Sequence, residues 1–295
     1  MHKKWRRRRF KKSYLKMKTK IKPNKLLKLF LILILSANIF VYYYINSFKK
    51  EQKLKIFIIT HKDFNNNRHN PIYTIVADDK SQLKKNYSLH ILYAEKSKLY
   101  KKKRAYGEMA KVYYIYELYK KGKISSKYIG INHYRRYFNF RDNIPDMDAI
   151  FQDHDVILNN FIKNNLGIRA QFCKSHICET YDEIINIIKE IKPEYYETAL
   201  RVNNINDIYF CNIFIMKKKD FLKYCEFMFD ILFEFDKRHN FKTDDEVLNY
   251  AMKFYKMKND YIPQSRLEGF LSERITNIFI YHNFKKIKNI IFGNY

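Results

Sequence analysis

From Leu54 to the carboxyl terminus, short apolar runs alternate with longer stretches whose apolar residues recur every three or four positions, and this leaves few folds open. Residues 54–60, LKIFIIT, form a mostly apolar run, the pattern of a buried strand. Residues 73–77, 89–93, 128–132, 155–158 and 208–216 repeat the strand signal. Between them, 108–120 reads as a helix. Phe221, Tyr224, Cys225, Met228, Leu232 and Phe235 mark one apolar face of another. Thr243-Asp-Asp-Glu246 has the form of a capping box, in which the Thr hydroxyl accepts an amide hydrogen bond and the Glu reaches back. It predicts a helix start, and 267–282 predicts the last helix. Strands separated by helices indicate an α/β domain with a mostly parallel central sheet flanked by helices. No internal repeat and no Pro/Gly/Ser linker divides it, so 54–295 is expected to be one domain.

Composition narrows the class. Aromatic residues make up 17% of the 295-residue chain, too many for a disordered one, and 4 Cys are too few for a disulfide-built miniprotein. The net charge of +28 is uneven: the first 50 residues hold 16 Lys or Arg and no Asp or Glu. Residues 1–28 read as a basic arm, followed by an apolar run at 29–45 interrupted only by Ser36 and Asn38. That run lies at the short end of what crosses a bilayer, and Tyr42, Tyr43 and Tyr44 suit an interfacial aromatic belt. A cleavable signal peptide would need small residues where Tyr and Ile stand. The reading is therefore a transmembrane anchor with a short stem at 46–53. The positive-inside rule places the arm in the cytosol and the domain across the membrane, a type II arrangement. The compartment is a Golgi- or ER-like lumen, or else the bacterial inner membrane supplies the anchor site.

Layered α/β domains bind ligands beyond the carboxyl ends of their strands. That rule selects Thr60, His61 and Lys62 after the first strand, and His133-Tyr134-Arg135-Arg136-Tyr137-Phe138 after the 128–132 strand. Two guanidiniums and an imidazole there can hold a diphosphate, because Arg offers planar bidentate donors and stays charged. The alternative is an exposed basic turn with Tyr137 and Phe138 returning to the core. Cys173, Cys178, Cys211 and Cys225 lack zinc-site spacing; buried thiols are the default, with a disulfide open in an oxidising compartment. Nucleophile-elbow, P-loop and dinucleotide-fingerprint glycine patterns are missing from the sequence, against hydrolase, kinase and dehydrogenase readings.

The segment 128–138, YIGINHYRRYF, resembles the hallmark of a group of glycosyltransferase-like proteins of bacterial capsule and lipopolysaccharide gene clusters, catalogued as domain of unknown function 4422. Residues 57–62, 212–217, 224–232 and 266–274 agree with the same pattern in order. The departure lies at 94–105, where Lys101-Lys-Lys-Arg104 replaces a Gly-Asp-Asn-containing loop.

The resemblance implies a GT-A-like fold that moves a sugar from a nucleotide-sugar donor to a glycan or glycolipid acceptor. Arg135, Arg136, His133 and Lys62 are expected at the donor diphosphate, and Thr60 and His61 at the nucleoside. Many enzymes of this fold hold the diphosphate through a metal on an Asp-x-Asp motif. Here His133-Tyr134-Arg135 stands at that place, so no cofactor is expected; manganese on Asp142, Asp146 and Asp148 is the alternative. An inverting transferase also needs a carboxylate base, and Glu273 and Glu108 are the candidates, Glu273 slightly ahead. Arg266, Arg274 and Asn212 fall in the matched stretches and are expected to support the site. No nucleic-acid partner is expected. The rival reading is a basic, membrane-tethered binding or scaffold protein for a polyanion or nucleic acid that keeps the fold without catalysis.

Overall fold

The structure is a computed structural model and describes residues 30–36, 38, 52–66, 69–138, 140, 143–255, 266–290 and 292–294. The chain divides into two units, Met1–Glu51 and Gln52–Tyr295. In the first, residues 30–36 are helical and the side chains from Phe30 to Leu35 are exposed. The basic arm, and the expected anchor apart from 30–36 and 38, lie outside the described residues. Among the described residues no helix is long and apolar enough to cross a membrane.

The second unit is a mixed α/β fold. Its strands are β1 (Gln52–Ile59), β2 (Tyr73–Ala77), β3 (His90–Tyr93), β4 (Ser126–His133), β5 (Arg136–Phe138), β6 (Val156–Asn159), β7 (Ile162–Lys163), β8 (Asp207–Ile208), β9 (Phe214–Lys217), β10 (Ile287–Ile290) and β11 (Phe292–Asn294). The helices are α1 (Lys103–Tyr106), α2 (Glu108–Lys120), α3 (Met147–Asp153), α4 (Ile168–Ser175), α5 (Cys178–Ile191), α6 (Tyr196–Val202), α7 (Lys218–His239), α8 (Asp244–Tyr255) and α9 (Leu267–Asn283). Strand β1 starts at Gln52, opposite Ser126, so the last two residues of the expected stem already belong to the sheet.

Seven strands form the central sheet in the order β10-β6-β9-β4-β1-β2-β3. Strands β1, β2, β3 and β4 are parallel neighbours, as are β6 and β10, whereas β9 runs antiparallel to both β4 and β6. The expected long strand at 208–216 is two strands, β8 and β9. Between them Cys211 and Asn212 adopt φ of 75° and 50°, a left-handed turn that no strand can contain.

Alternation along β1 explains why the run from Ile56 to Ile59 is apolar throughout. Phe57 and Ile59 join the larger core beneath α2, α7 and α9, while Leu54, Ile56 and Ile58 join a smaller core with Phe138, Met147 and Phe151. At Gly130 of β4 the two neighbouring strands press close: a Cβ there would lie 2.9 Å from Ile56 Cγ1 and 3.3 Å from Ile215 Cγ1. The capping box forms, with the Glu246 carboxylate accepting the Thr243 amide at 2.8 Å and the Thr243 hydroxyl accepting that of Glu246 at 3.5 Å. Where α4 breaks into α5, Cys173 and Cys178 are joined by a disulfide, which corrects the default of buried thiols for that pair; Cys211 and Cys225 are free and buried.

A buried polar knot ties α1, α7 and α9 together. Lys102 Nζ pairs with Asp236 Oδ2, and the Tyr106 hydroxyl donates to the same oxygen at 2.5 Å. Glu268 is fully buried beside them, and burial, with Asp236 adding, pushes its carboxyl well above the ordinary range. The folded state therefore retains a proton that the unfolded chain releases near the ordinary Glu pKa, and stability falls as pH rises through that window. Glu268→Gln stays neutral at every pH. The variant's Tm should gain on the wild type by several degrees between pH 5 and pH 8, at about 2–4 °C per kcal/mol for a domain of this size. A Tm difference constant with pH in calorimetry would show that Glu268 is ionised in the fold.

Candidate active site

The parallel arrangement brings the carboxyl ends of β1, β2 and β4 to one edge of the sheet. The Thr60 amide donates to Val76 O at 3.0 Å, and the Tyr134 amide donates to Ile59 O at 3.0 Å. Above this edge opens a cavity of about 430 Å³, walled by α2 and α9 and by the residues after β1 and β4. Thr60, His61, His133, Arg135, Arg136, Glu108, Arg266 and Glu273 all line it, eight of the eleven side chains singled out from sequence. Lys103, Arg104 and Lys111 bring the fixed cations to six, against the carboxylates of Asp78, Glu108 and Glu273. Such a cavity attracts anions.

Its base is built on buried ion pairs. Lys111 on α2 meets Asp78, the residue after β2, at 2.6 Å, with both side chains under 10% exposed. Gln82 Nε2 donates to the second Asp78 oxygen at 2.9 Å. Burial lowers the Lys111 pKa, while Asp78 opposes that shift and supports the charge. Glu108, at the start of α2, accepts from Arg266 Nη2 at 2.7 Å and from Asn212 Nδ2 at 3.2 Å. Asn212 is buried behind it; its oxygen accepts from Thr276 at 2.6 Å, and Thr276 in turn meets the Tyr224 hydroxyl at 2.9 Å. Gly107 makes the Arg266 position possible. At φ 57° it sits where side chains are strained, and a Cβ there would lie 2.8 Å from Arg266 Nη2.

Glu273 faces the same cavity from α9. Its Oε2 accepts from Arg274 Nη1 at 2.9 Å and its Oε1 from the Cys211 amide at 3.3 Å. Burial raises its pKa; Arg274 opposes that shift and Glu108 adds to it. Arg274 does not line the cavity. It lies buried over the rings of Phe172 and Phe210, donating also to Phe270 O and to Gln171, and so holds Glu273 from behind. The left-handed turn between β8 and β9 links the two halves of the site. Cys211 offers its amide to Glu273, and its sulfur accepts from Arg136 Nη1 at 2.6 Å. Burial pushes the Cys211 thiol up to about 11, so it serves as an uncharged acceptor.

Arg135 lies over the Tyr134 ring at 5.2 Å, and among the described residues neither it nor Arg136 is held in an ion pair. Both guanidiniums are exposed and line the cavity, while Phe138 returns to the smaller core. The pKa of His133 is lowered by burial, with Glu108 opposing and Arg266, Arg136 and Arg135 adding. At neutral pH it therefore offers hydrogen bonds and not charge. His61 packs edge-on against Tyr134 at 5.2 Å and is likewise held neutral, by burial first and then by Lys111, Arg266, Lys62 and Arg135. Thr60 Oγ1 donates to Lys62 O at 2.6 Å. Lys62 itself falls outside the lining; its ammonium lies 5.8 Å from the centre of the Tyr134 ring.

The alternative metal ligands are engaged elsewhere. Asp146 caps α3, Asp148 pairs with Lys53 at 2.9 Å and Lys127 at 2.6 Å, and Asp142 lies outside the described residues. Neither Asp146 nor Asp148 lines the cavity, and among the described residues no three His, Cys, Asp or Glu converge as a metal set. The residues described there do not fit a divalent cation. Sequence reasoning missed Asp78, Gln82, Lys111 and Cys211. Asp78 directly follows the 73–77 strand, so the strand-end rule applied to that strand would have found it. Lys111 carries no sequence signal beyond being one lysine on a helix.

The mixed α/β fold is shared with a solved glycosyltransferase. WbbM, a bifunctional glycosyltransferase solved in its apo form, superposes with a TM-score of 0.55 at 20% identity, over 82% of this chain and 45% of that one. The chain thus spans less than half the length of that protein, and the likeness is one of fold. The profile for domain of unknown function 4422 matches residues 55–284, and the chain belongs to that family. Curated protein sequences gave no match.

Proposed function

We propose that this protein is a membrane-anchored glycosyltransferase that moves a sugar from a nucleotide-sugar donor to a glycan or glycolipid acceptor, with fixed cations in place of a divalent metal. The observation that carries the reading is the convergence of six fixed cations and a partly buried glutamate of raised pKa in one cavity at the strand ends. Thr60 and His61 face the nucleoside. Arg135 and Arg136 bind the diphosphate with His133 as a neutral donor, and Lys62 adds charge from the rim. Glu273 takes the proton of the acceptor hydroxyl as that oxygen bonds to the sugar's anomeric carbon and the bond to the diphosphate breaks. The negative charge that builds on the departing phosphate is met by the guanidiniums, already in place and partly desolvated. Glu108 holds Arg266 in that field, which makes it a positioning residue and leaves Glu273 as the base.

Residues 29–45 anchor the domain, with the basic arm cytosolic. The Cys173–Cys178 disulfide supports a domain facing an oxidising compartment, where such bonds persist. There it draws on a donor carried into a lumen or on a lipid-linked donor. The test is a panel of nucleotide sugars incubated with the full chain, read as release of free nucleotide. One donor class should be turned over; retention of every donor intact would leave the scaffold reading in its place.

A further inference from the structure

We infer that a second cavity is a subsite for the distal sugars of an acceptor glycan; the inference rests on the transferase reading. This cavity measures about 540 Å³ and lies between the loop after β1 and the loop before β3. Asn65, Asn66 and Asn86 line it with His69, Ser88 and Lys85, and the lining holds no carboxylate. Carboxamides carry both donors and acceptors, as sugar hydroxyls do, and three of them around one concavity match a neutral polyhydroxyl ligand. A phosphate would demand several cations. Among the described lining residues only Lys85 is cationic, and its ammonium already donates to Asn65 Oδ1 at 2.9 Å.

The two loops are held in place before any ligand arrives. The Asp63 carboxylate accepts the Lys84 amide at 3.0 Å, the Lys85 amide at 3.2 Å and the Tyr87 hydroxyl at 3.1 Å, and the Phe64 amide donates to the Tyr87 hydroxyl at 2.9 Å. Preformed walls spare a ligand the cost of ordering them. Continuity with the active site comes from a run of rings. Tyr87 stacks on Phe64 with centroids 5.2 Å apart, Phe64 meets Tyr134 at 6.0 Å, and Tyr134 meets His61 at 5.2 Å. Tyr134 and His61 are walls of the catalytic cavity. Phe64, a wall of the second cavity, thus touches Tyr134, a wall of the first, so a chain whose terminal sugar approaches Glu273 can reach the carboxamides with its preceding sugars.

The test uses the full chain and a panel of neutral gluco-, galacto- and manno-oligosaccharides of increasing length, with binding followed by saturation-transfer NMR. The wild type should bind longer members best. The double variant Asn65→Ala/Asn86→Ala should bind them about tenfold more weakly, with nucleoside diphosphate affinity and Tm unchanged. Equal binding by variant and wild type overturns the inference, as does a wild type that binds no oligosaccharide of any length. Binding of heparin at this site, weakened by salt, overturns it too, since it would mark a polyanion groove. Donor turnover measured on the same samples is independent: its failure would remove the transferase reading while leaving an oligosaccharide site in view.

Discussion

Glu273→Gln should lower kcat by about 10²–10⁴-fold while nucleoside diphosphate affinity stays within about twofold, because the substitution removes only the group that accepts the acceptor's proton. The glutamine is nearly isosteric, and its one carbonyl oxygen can still accept from Arg274 or from the Cys211 amide, one of the two contacts that hold Glu273 in place. The pH profile adds an independent check. Burial raises the Glu273 pKa, so the base is lost as pH falls through a value above that of an ordinary glutamate, and the acidic limb of kcat/KM should lie correspondingly high. Glu108→Gln should behave differently. Glu108 restrains Arg266 at 2.7 Å, so its loss should raise the KM for donor along with any fall in kcat, and the acidic limb should persist but move to lower pH, because the Glu108 charge helps raise the Glu273 pKa. A Glu273→Gln enzyme that retained full turnover would end the assignment of the base.

The second large effect is expected at the guanidiniums. Arg135→Ala and Arg136→Ala should each cost about 10²–10³-fold in kcat/KM with the fold intact, the scale seen when one preorganised donor to a developing negative charge is removed. Both side chains are exposed and hold no ion pair among the described residues, so their removal leaves no uncompensated buried charge. Arg136 also donates to Cys211, whose amide reaches Glu273, so its loss should disturb the base as well. Lysine at 135 should recover only part of the activity, since it keeps the charge but not the planar bidentate donor pair. Steady-state kinetics with circular dichroism on each variant checks both effects. Activity near wild type in both alanine variants would show that the diphosphate is held elsewhere.

Much of this site was legible because its parts sit where apolar runs stop. The apolar run 56–59 stops at Thr60, and the 128–132 run meets polar His133 and Arg135 directly. Helix α2 spans Glu108–Lys120, as its pattern predicts, and the Thr243 capping box starts α8 where local hydrogen bonding requires. The pairing of distant residues was not legible. Glu108 and Arg266 are 158 positions apart, and nothing in either neighbourhood announces the other. Strand β10 reads Ile287-Lys-Asn-Ile290, too polar to signal a strand, and is one because it pairs with β6. The 208–216 run looked continuous because Cys211 and Asn212 carry no glycine to mark a left-handed turn. The disulfide needed the break between α4 and α5, which brings Cys173 and Cys178 to a Cα separation of 4.4 Å.

The central claim is that arginines at the sheet edge do what a bound cation does in many sugar transferases. Turnover of the preferred nucleotide sugar in excess EDTA tests it most directly. The rate should match that in untreated buffer and should not respond to added manganese. Loss of turnover in chelator, restored by manganese, would contradict it.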